Sequence, residues 1–338
     1  MNAVSGHSAL VREALVEVER RMVELVHLDD DVCGQMAVSH LSRGGKRLRA
    51  RLAVEASLAM GGSFGAAIAW GVANELMHNA SLIHDDAQDG DAMRRGAPAV
   101  WKTYGVPQAI NAGDLLLMLP FRALEDASIA EIARARLMSC LARHGERTVR
   151  GQADEMSLRD RPGAGDACYR RAAGGKTSGL FGMPVEGAAL LSGRSVQEAR
   201  RLAEPFERLG LLYQMQDDVI DCFGDKGRGQ RGSDLREGKV SALTVAHLEL
   251  HPEDKDWLTA LMRLPRHRTT RGAVADAIER FRSGGALARV LERIDELGDV
   301  EHDVALDGEP ILRGVAVVLR DRFIEPLAPV RALLPSVR

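Results

Sequence analysis

Aromatic residues are scarce: three Trp, three Tyr and seven Phe among 338 positions. Strands draw on aromatic and β-branched residues in alternation, and few such runs occur, so a β-rich fold is excluded. Cysteine is scarce as well. Cys33, Cys140, Cys168 and Cys222 are scattered without a CxxC pair, which excludes a disulfide framework or a zinc ribbon and suits reduced thiols in a cytoplasmic protein. No excess of one charge exists: 45 Lys and Arg face 48 Asp and Glu, a formal net charge of −3. That balance argues against bulk binding of nucleic acid. Long apolar runs are missing too. The best window, residues 66–83, contains Asn74, Glu75, His78 and Asn79 and predicts a buried helix, not a membrane span. The opening "MNAVSGHSALVREALVEVERR" has no apolar core bounded by a cleavage site, so no secretion signal is expected there.

What remains is a chain rich in Ala, Leu, Val, Arg and Glu, 45% hydrophobic and long enough for a substantial core. Leu10, Val11, Leu15, Val18, Met22 and Leu25 keep amphipathic helical spacing. Further helices are predicted over 66–89, through "VPQAINAGDLLLMLPFRALEDA" with a kink at Pro120, through "MSCLARHGERTVRGQADEMSL", and over 196–223. Gly96 and Pro98 predict a loop, and "KGRGQRGSDLREGK" a mobile surface segment. No composition shift or low-complexity linker divides the chain. The expectation is one all-α domain over residues 1–338.

Two stretches carry charge where it is costly. "DDAQD" sets Asp85 and Asp89 one helical turn apart with Asp86 beside them, and "DDVID" repeats the arrangement at Asp217, Asp218 and Asp221. Each ends an apolar helix, where the dipole favours cations, not acids. One such run is an ordinary acidic helix end. Two of them point to a counter-charge, and hard carboxylate oxygens suit Mg²⁺ shared with substrate phosphates. Two such helices facing each other would hold Mg²⁺ around a diphosphate. Basic groups supply a second half. "GGKRLR" is expected to place Lys46 and Arg49 on one helical face, Arg94 and Arg95 follow the first acidic run, and Lys176–Thr177 lie in the glycine-flanked "GGKTSGLF". That last stretch lacks the leading glycine of a P-loop, and no strand precedes it.

These residues resemble the trans-polyprenyl (isoprenyl) diphosphate synthases, geranylgeranyl diphosphate synthases in particular. The matching stretches are "GGKRLR" (44–49), "LIHDDAQDGDAMRRG" (82–96), "GQADE" (151–155), "GGKTSGLF" (174–181), "YQMQDDVIDCFGD" (213–225) and "GSDLREGK" (232–239), in the family's order across residues 10–290. The resemblance implies an all-α helical bundle around a central cavity, a homodimer, and a Mg²⁺-dependent condensation of isopentenyl diphosphate with an allylic prenyl diphosphate. It implies that Asp85, Asp86 and Asp89, with Asp217, Asp218 and Asp221, bind Mg²⁺, Asp217 most directly. Arg94 then grips the allylic diphosphate. Lys46, Arg49, His78 and Arg95 take isopentenyl diphosphate, and Lys176, Thr177 and Gln214 line the allylic group and the cation formed from it. Such a reaction needs charge stabilisation on a leaving diphosphate and dry aliphatic walls, with no side-chain nucleophile. The glycine-rich loop 224–232 is expected to close as a lid.

Departures accompany the match. Gly229 stands where the family has a lysine, so Lys226 or Arg228 is expected to reach the same phosphate, and Ala50 stands where proline is common. Small residues at Ala80 and Ser81, where bulky aromatics would stop growth at farnesyl length, predict a longer product, geranylgeranyl diphosphate first. Met77 and Asn74 would meet the chain next, since helical turns lie roughly 5–6 Å apart. The competing readings are a terpene cyclase, a prenyltransferase with another acceptor, or a non-catalytic subunit of a heteromeric synthase.

Overall fold

The computed structural model describes residues 2–27, 31–126, 128–224 and 231–334, with side chains from residue 8 onward. In chain order the helices are α1 (Asn2–Val26), α2 (Val32–Leu41), α3 (Leu48–Ala59), α4 (Phe64–Asp89), α5 (Val100–Tyr104), α6 (Val106–Ala123), α7 (Glu131–Leu158), α8 (Asp166–Ala173), α9 (Gly179–Leu191), α10 (Val196–Phe223), α11 (Ser233–Arg236), α12 (Ala242–Leu250), α13 (Lys255–Met262), α14 (Arg271–Ser283), α15 (Ala286–Leu297), α16 (Pro310–Ile324) and α17 (Ala328–Arg331). The all-α expectation is borne out. Pro120 sits inside α6, which runs on to Ala123.

Residues 91–98 depart from the expected plain loop. Met93–Arg94 (β1) pairs antiparallel with Ala97–Pro98 (β2), Arg94 opposite Ala97. Arg95 and Gly96 both have positive φ, 53° and 77°, as the tightest two-residue hairpin turn requires of its central residues. This hairpin folds Arg94 back toward the helix that precedes it.

By internal packing the chain divides into two compact units, 1–145 with 180–204, and 146–179 with 205–338. In the first, α4 is the central element. Ser63 caps its N-terminus by accepting from the Ala66 amide, and Gly90 closes its C-terminus in the left-handed conformation. The helix is buried on nearly every side, with Trp70, Leu76, Ala80 and Ile83 all within the core. Helices α1, α3 and α6 pack on it. Trp70 is held by its indole N–H, which donates to the Pro184 carbonyl of α9 at 2.8 Å. Gly187 makes room for it: a Cβ there would fall 2.1 Å from the indole. In the second unit, the core of α12, α14 and α15 includes Phe281, Leu287, Val290 and Ile294. Among the described residues no helix is long and apolar enough to cross a membrane.

Candidate active site

In the first unit, Asp85, Asp86 and Asp89 form the last turn of α4, with Asp86 buried at 1% exposure. The hairpin brings Arg94 back onto it. Arg94 Nε donates to Asp86 Oδ1 at 2.8 Å, and Nη2 reaches the same oxygen. The other oxygen, Oδ2, is buried and has no hydrogen-bond partner among the described residues. Burial pushes the Asp86 carboxyl above its ordinary range, against the pull of the Arg94 guanidinium. His84, beside this motif, points at α6 instead. Its Nε2 lies 3.3 Å from the Ile110 carbonyl and 3.4 Å from Asp114, over Gly113, where a Cβ would strike the ring.

The "GGKRLR" turn lies in the same unit, in a form the spacing did not predict. Helix α3 begins only at Leu48, and Arg47 precedes it in the left-handed conformation with φ 45°. Lys46 is therefore an exposed turn residue, and it does not share a helical face with Arg49. The cause is the pair of glycines: Gly44 and Gly45 hold φ of 69° and 146°. They also leave the surface on which the Arg95 guanidinium lies. Arg95 Nη1 donates to the Gly44 carbonyl, and a Cβ on Gly45 would sit 2.8 Å from Arg95 Cζ. Arg49 is buried and stacks on Phe181, 4.4 Å from the ring centroid. Phe181 is thus core packing with a cation on its face.

Glu75 and His40 lie buried beneath this turn and carry no sequence signal beyond their apolar surroundings, whereas His78, expected in the isopentenyl diphosphate pocket, is half-buried. Glu75, 1% exposed, accepts from the Ala50 amide at 3.2 Å and lies 3.5 Å from Arg47 Nη1, anchoring the start of α3. His40 is fully buried, and desolvation, then the charges of Arg95, Arg43 and Arg94, drives its pKa down to about 3. Burial and Arg49 likewise hold His78 well below its usual value. Both imidazoles are neutral, so the positive charge belongs to the guanidinium groups.

In the second unit, Lys176 and Thr177 stand on a widened π-type turn, Gly174–Ser178, a feature common at functional sites. Two glycines let α7 touch this turn. A Cβ on Gly151 would lie 2.2 Å from the Lys176 amide nitrogen, and one on Gly175 would lie 2.8 Å from Gly151 Cα. That closeness brings Glu155 to Lys176, Oε2 to Nζ 2.5 Å. The "GQADE" stretch thus places an acid beside the lysine, a role its sequence did not disclose.

The second acidic motif divides by environment. Asp217 is half-buried, whereas Asp218 and Asp221 are buried. Asp218 accepts from Tyr169 Oη at 2.7 Å, the Ala242 amide at 2.7 Å and Gln214 Nε2 at 3.0 Å. Burial nevertheless pushes its carboxyl up to about 6. Thr177 Oγ1 donates to Gln214 Oε1 at 3.0 Å. Asp221 accepts from Ser233 Oγ at 2.5 Å and from the Asp234 amide at 3.1 Å. Tyr213 packs against Phe323, ring centroids 4.8 Å apart. Lys226, Arg228 and Gly229, with most of the expected lid, lie outside the described residues.

Of the expected length-determining positions, Ala80 is fully buried, Met77 and Asn74 are buried, and Ser81 is half-buried with its hydroxyl donating to the His78 carbonyl. None of the four cysteines is joined in a disulfide. One further cluster, Cys140, His144 and Glu186, offers ligand atoms within 4.8 Å of one another. Glu186 is already engaged there by Arg143 at 2.5 Å and His144 at 2.8 Å. Those bonds hold its carboxyl low although burial opposes them, and burial pushes the Cys140 thiol up. It is a closed ion-pair network between α7 and α9.

Residues 30–281 match the family model described as polyprenyl synthetase. The chain is 34% identical over 279 residues to the short chain isoprenyl diphosphate synthase of Methanothermobacter thermautotrophicus, across 80% of each chain. It is 36% identical over 252 residues to the geranylgeranyl diphosphate synthase of Mycobacterium tuberculosis, across 72% of this chain and 71% of that one. Its fold is similar to the crystal structure of a geranylgeranyl pyrophosphate synthetase from Pyrococcus horikoshii, with a TM-score of 0.83 at 26% identity over 95% of this chain and 99% of that one.

Proposed function

Because the chain belongs to the polyprenyl synthetase family and is a prenyltransferase, we propose that it joins isopentenyl diphosphate to an allylic prenyl diphosphate, with geranylgeranyl diphosphate the first expected product. The allylic carbon–oxygen bond breaks and its electron pair leaves with diphosphate. The isopentenyl double bond then attacks the cation, and loss of a proton restores an alkene. Each unit carries part of the chemistry. In the first, Asp85, Asp86 and Asp89 hold Mg²⁺ with the allylic diphosphate, Arg94 steadies Asp86 and the phosphate, and Lys46, Arg49, His78 and Arg95 receive isopentenyl diphosphate. In the second, Asp217 binds Mg²⁺, while Lys176, Thr177 and Gln214 face the allylic group. Mg²⁺ would neutralise charge on the departing diphosphate.

The buried, unpartnered Asp86 Oδ2 supports the metal assignment most directly. A desolvated carboxylate oxygen without a donor is costly unless a cation completes it. Neutral His40 and His78 leave the guanidinium groups of Arg49 and Arg95 to meet the second diphosphate.

A cytoplasmic homodimer is also proposed. Helix α6 exposes Val106, Ile110 and Met118, four and eight residues apart and so on one face. An apolar stripe of this kind is suited to a second copy of the chain. The single-domain reading stands as a proposal as well, supported by α7 and α10, each of which passes unbroken from one unit into the other.

The test is turnover with isopentenyl diphosphate, Mg²⁺ and, in turn, dimethylallyl, geranyl and farnesyl diphosphate, reading product mass. An elongated diphosphate that vanishes with EDTA and returns with Mg²⁺ is expected. A hydrocarbon made without consuming isopentenyl diphosphate would overturn the reading.

A further inference from the structure

Within the second acidic motif, Asp218 and Asp221 have protein donors built around them. Both Asp218 and Asp221 are buried, at 4% and 3% exposure. A carboxylate offers about four acceptor sites. Tyr169, Ala242 and Gln214 take three of those on Asp218. Asp221 accepts from Ser233 and Asp234, and its own carbonyl accepts from the Gly232 amide at 2.8 Å. It therefore ties the start of α11 to the end of α10.

The bond from Gln214 to Asp218 has a further consequence. Asp218 as a carboxylate only accepts, so it fixes the Gln214 amide with its NH₂ toward Asp218 and its oxygen toward Thr177. The Thr177 hydroxyl must then donate to that oxygen, which leaves its lone pairs on the other side. A chain of hydrogen bonds runs Tyr169–Asp218–Gln214–Thr177, and it sets how two electron-rich oxygens, Gln214 Oε1 and Thr177 Oγ1, are presented. Tyr169 is its far end: it lies on α8, is buried at 4% exposure, and donates to Asp218.

We infer that Tyr169 is a positioning residue acting through Asp218 and Gln214 on the Thr177 hydroxyl. This inference rests on the proposed prenyl transfer and refines it. Losing a hydrogen bond to a charged group corresponds to about a tenfold change. Tyr169→Phe should therefore lower kcat about tenfold while the KM for the allylic diphosphate changes less than twofold.

A double-variant comparison separates positioning from bulk destabilisation: Tyr169→Phe, Thr177→Val and the two combined are compared by kcat and by KM. A shared chain predicts that the double variant is no slower than Thr177→Val alone, and independent, additive losses would overturn the inference. A protein that makes no elongated diphosphate would instead count against the proposed function, and the same comparison read on binding of inorganic pyrophosphate, without turnover, would still decide the present inference.

Discussion

Arg94→Ala should destabilise the protein far more than loss of a surface arginine, and the cost should depend on pH. Arg94 bonds a single oxygen of Asp86, and the two side chains are 16% and 1% exposed. An exposed ion pair is worth at most about 1 kcal/mol. Removing one partner of a buried pair strands the other and costs about 3–5 kcal/mol. The stranded group has one escape, to take up a proton. Burial already holds Asp86 above its ordinary value with Arg94 in place, and without the guanidinium it must rise further. A folded-state pKa above the unfolded one means that stability is kept at low pH and lost as pH rises between the two values. Each pH unit in that window costs about 1.4 kcal/mol. The deficit should therefore be larger at pH 7.5 than at pH 5.5, by up to about 2.7 kcal/mol. Urea unfolding followed by far-ultraviolet circular dichroism at both pH values measures it. The double variant Asp86→Asn/Arg94→Met removes both charges and should recover most of the loss. A deficit below about 1 kcal/mol, one independent of pH, or a double variant no better than the single would refute the reasoning.

Replacing Ala80 with Phe should shorten the product, read by mass spectrometry of the extracted diphosphates; an unchanged length would place the hydrocarbon path elsewhere. Gly187→Ala should destabilise by at least about 1–3 kcal/mol through overpacking, since its methyl would overlap Trp70, and the tryptophan fluorescence should change with it. His40 has a folded pKa of about 3, below its ordinary unfolded value of about 6.5. Its contribution is therefore absent above that pH, and stability falls as pH drops from 6.5 toward 3. Between pH 6.5 and 5 the loss is about 2 kcal/mol, and His40→Gln should flatten the denaturation profile by that amount.

Helix content and the acidic and basic motifs were legible without coordinates because both are local. A period of 3.6 residues gave α4 and α10 nearly to their ends, and Asp85 and Asp89 share a face by spacing alone. The shape of "GGKRLR" was not legible. Its spacing fits a helix, but positive φ at Gly44, Gly45 and Arg47 starts α3 two residues after Lys46. The resemblance singled out Asp217 among the three acids of "DDVID", but residue type alone did not disclose that Asp218 and Asp221 are buried with protein donors. Their differences arise from what α8, α11 and α12 bring near each of them.

The sequence by itself determined which elements form, where charge ends an apolar helix, and which family chemistry the motifs suit. Only the tertiary structure decided which of those charges are already spoken for: Asp86 by Arg94, Lys176 by Glu155, Asp218 by Tyr169. The physical reason is range. Periodicity and capping act within a few residues, whereas burial and partner choice are set by groups far along the chain, as Tyr169 and Asp218 are 49 positions apart.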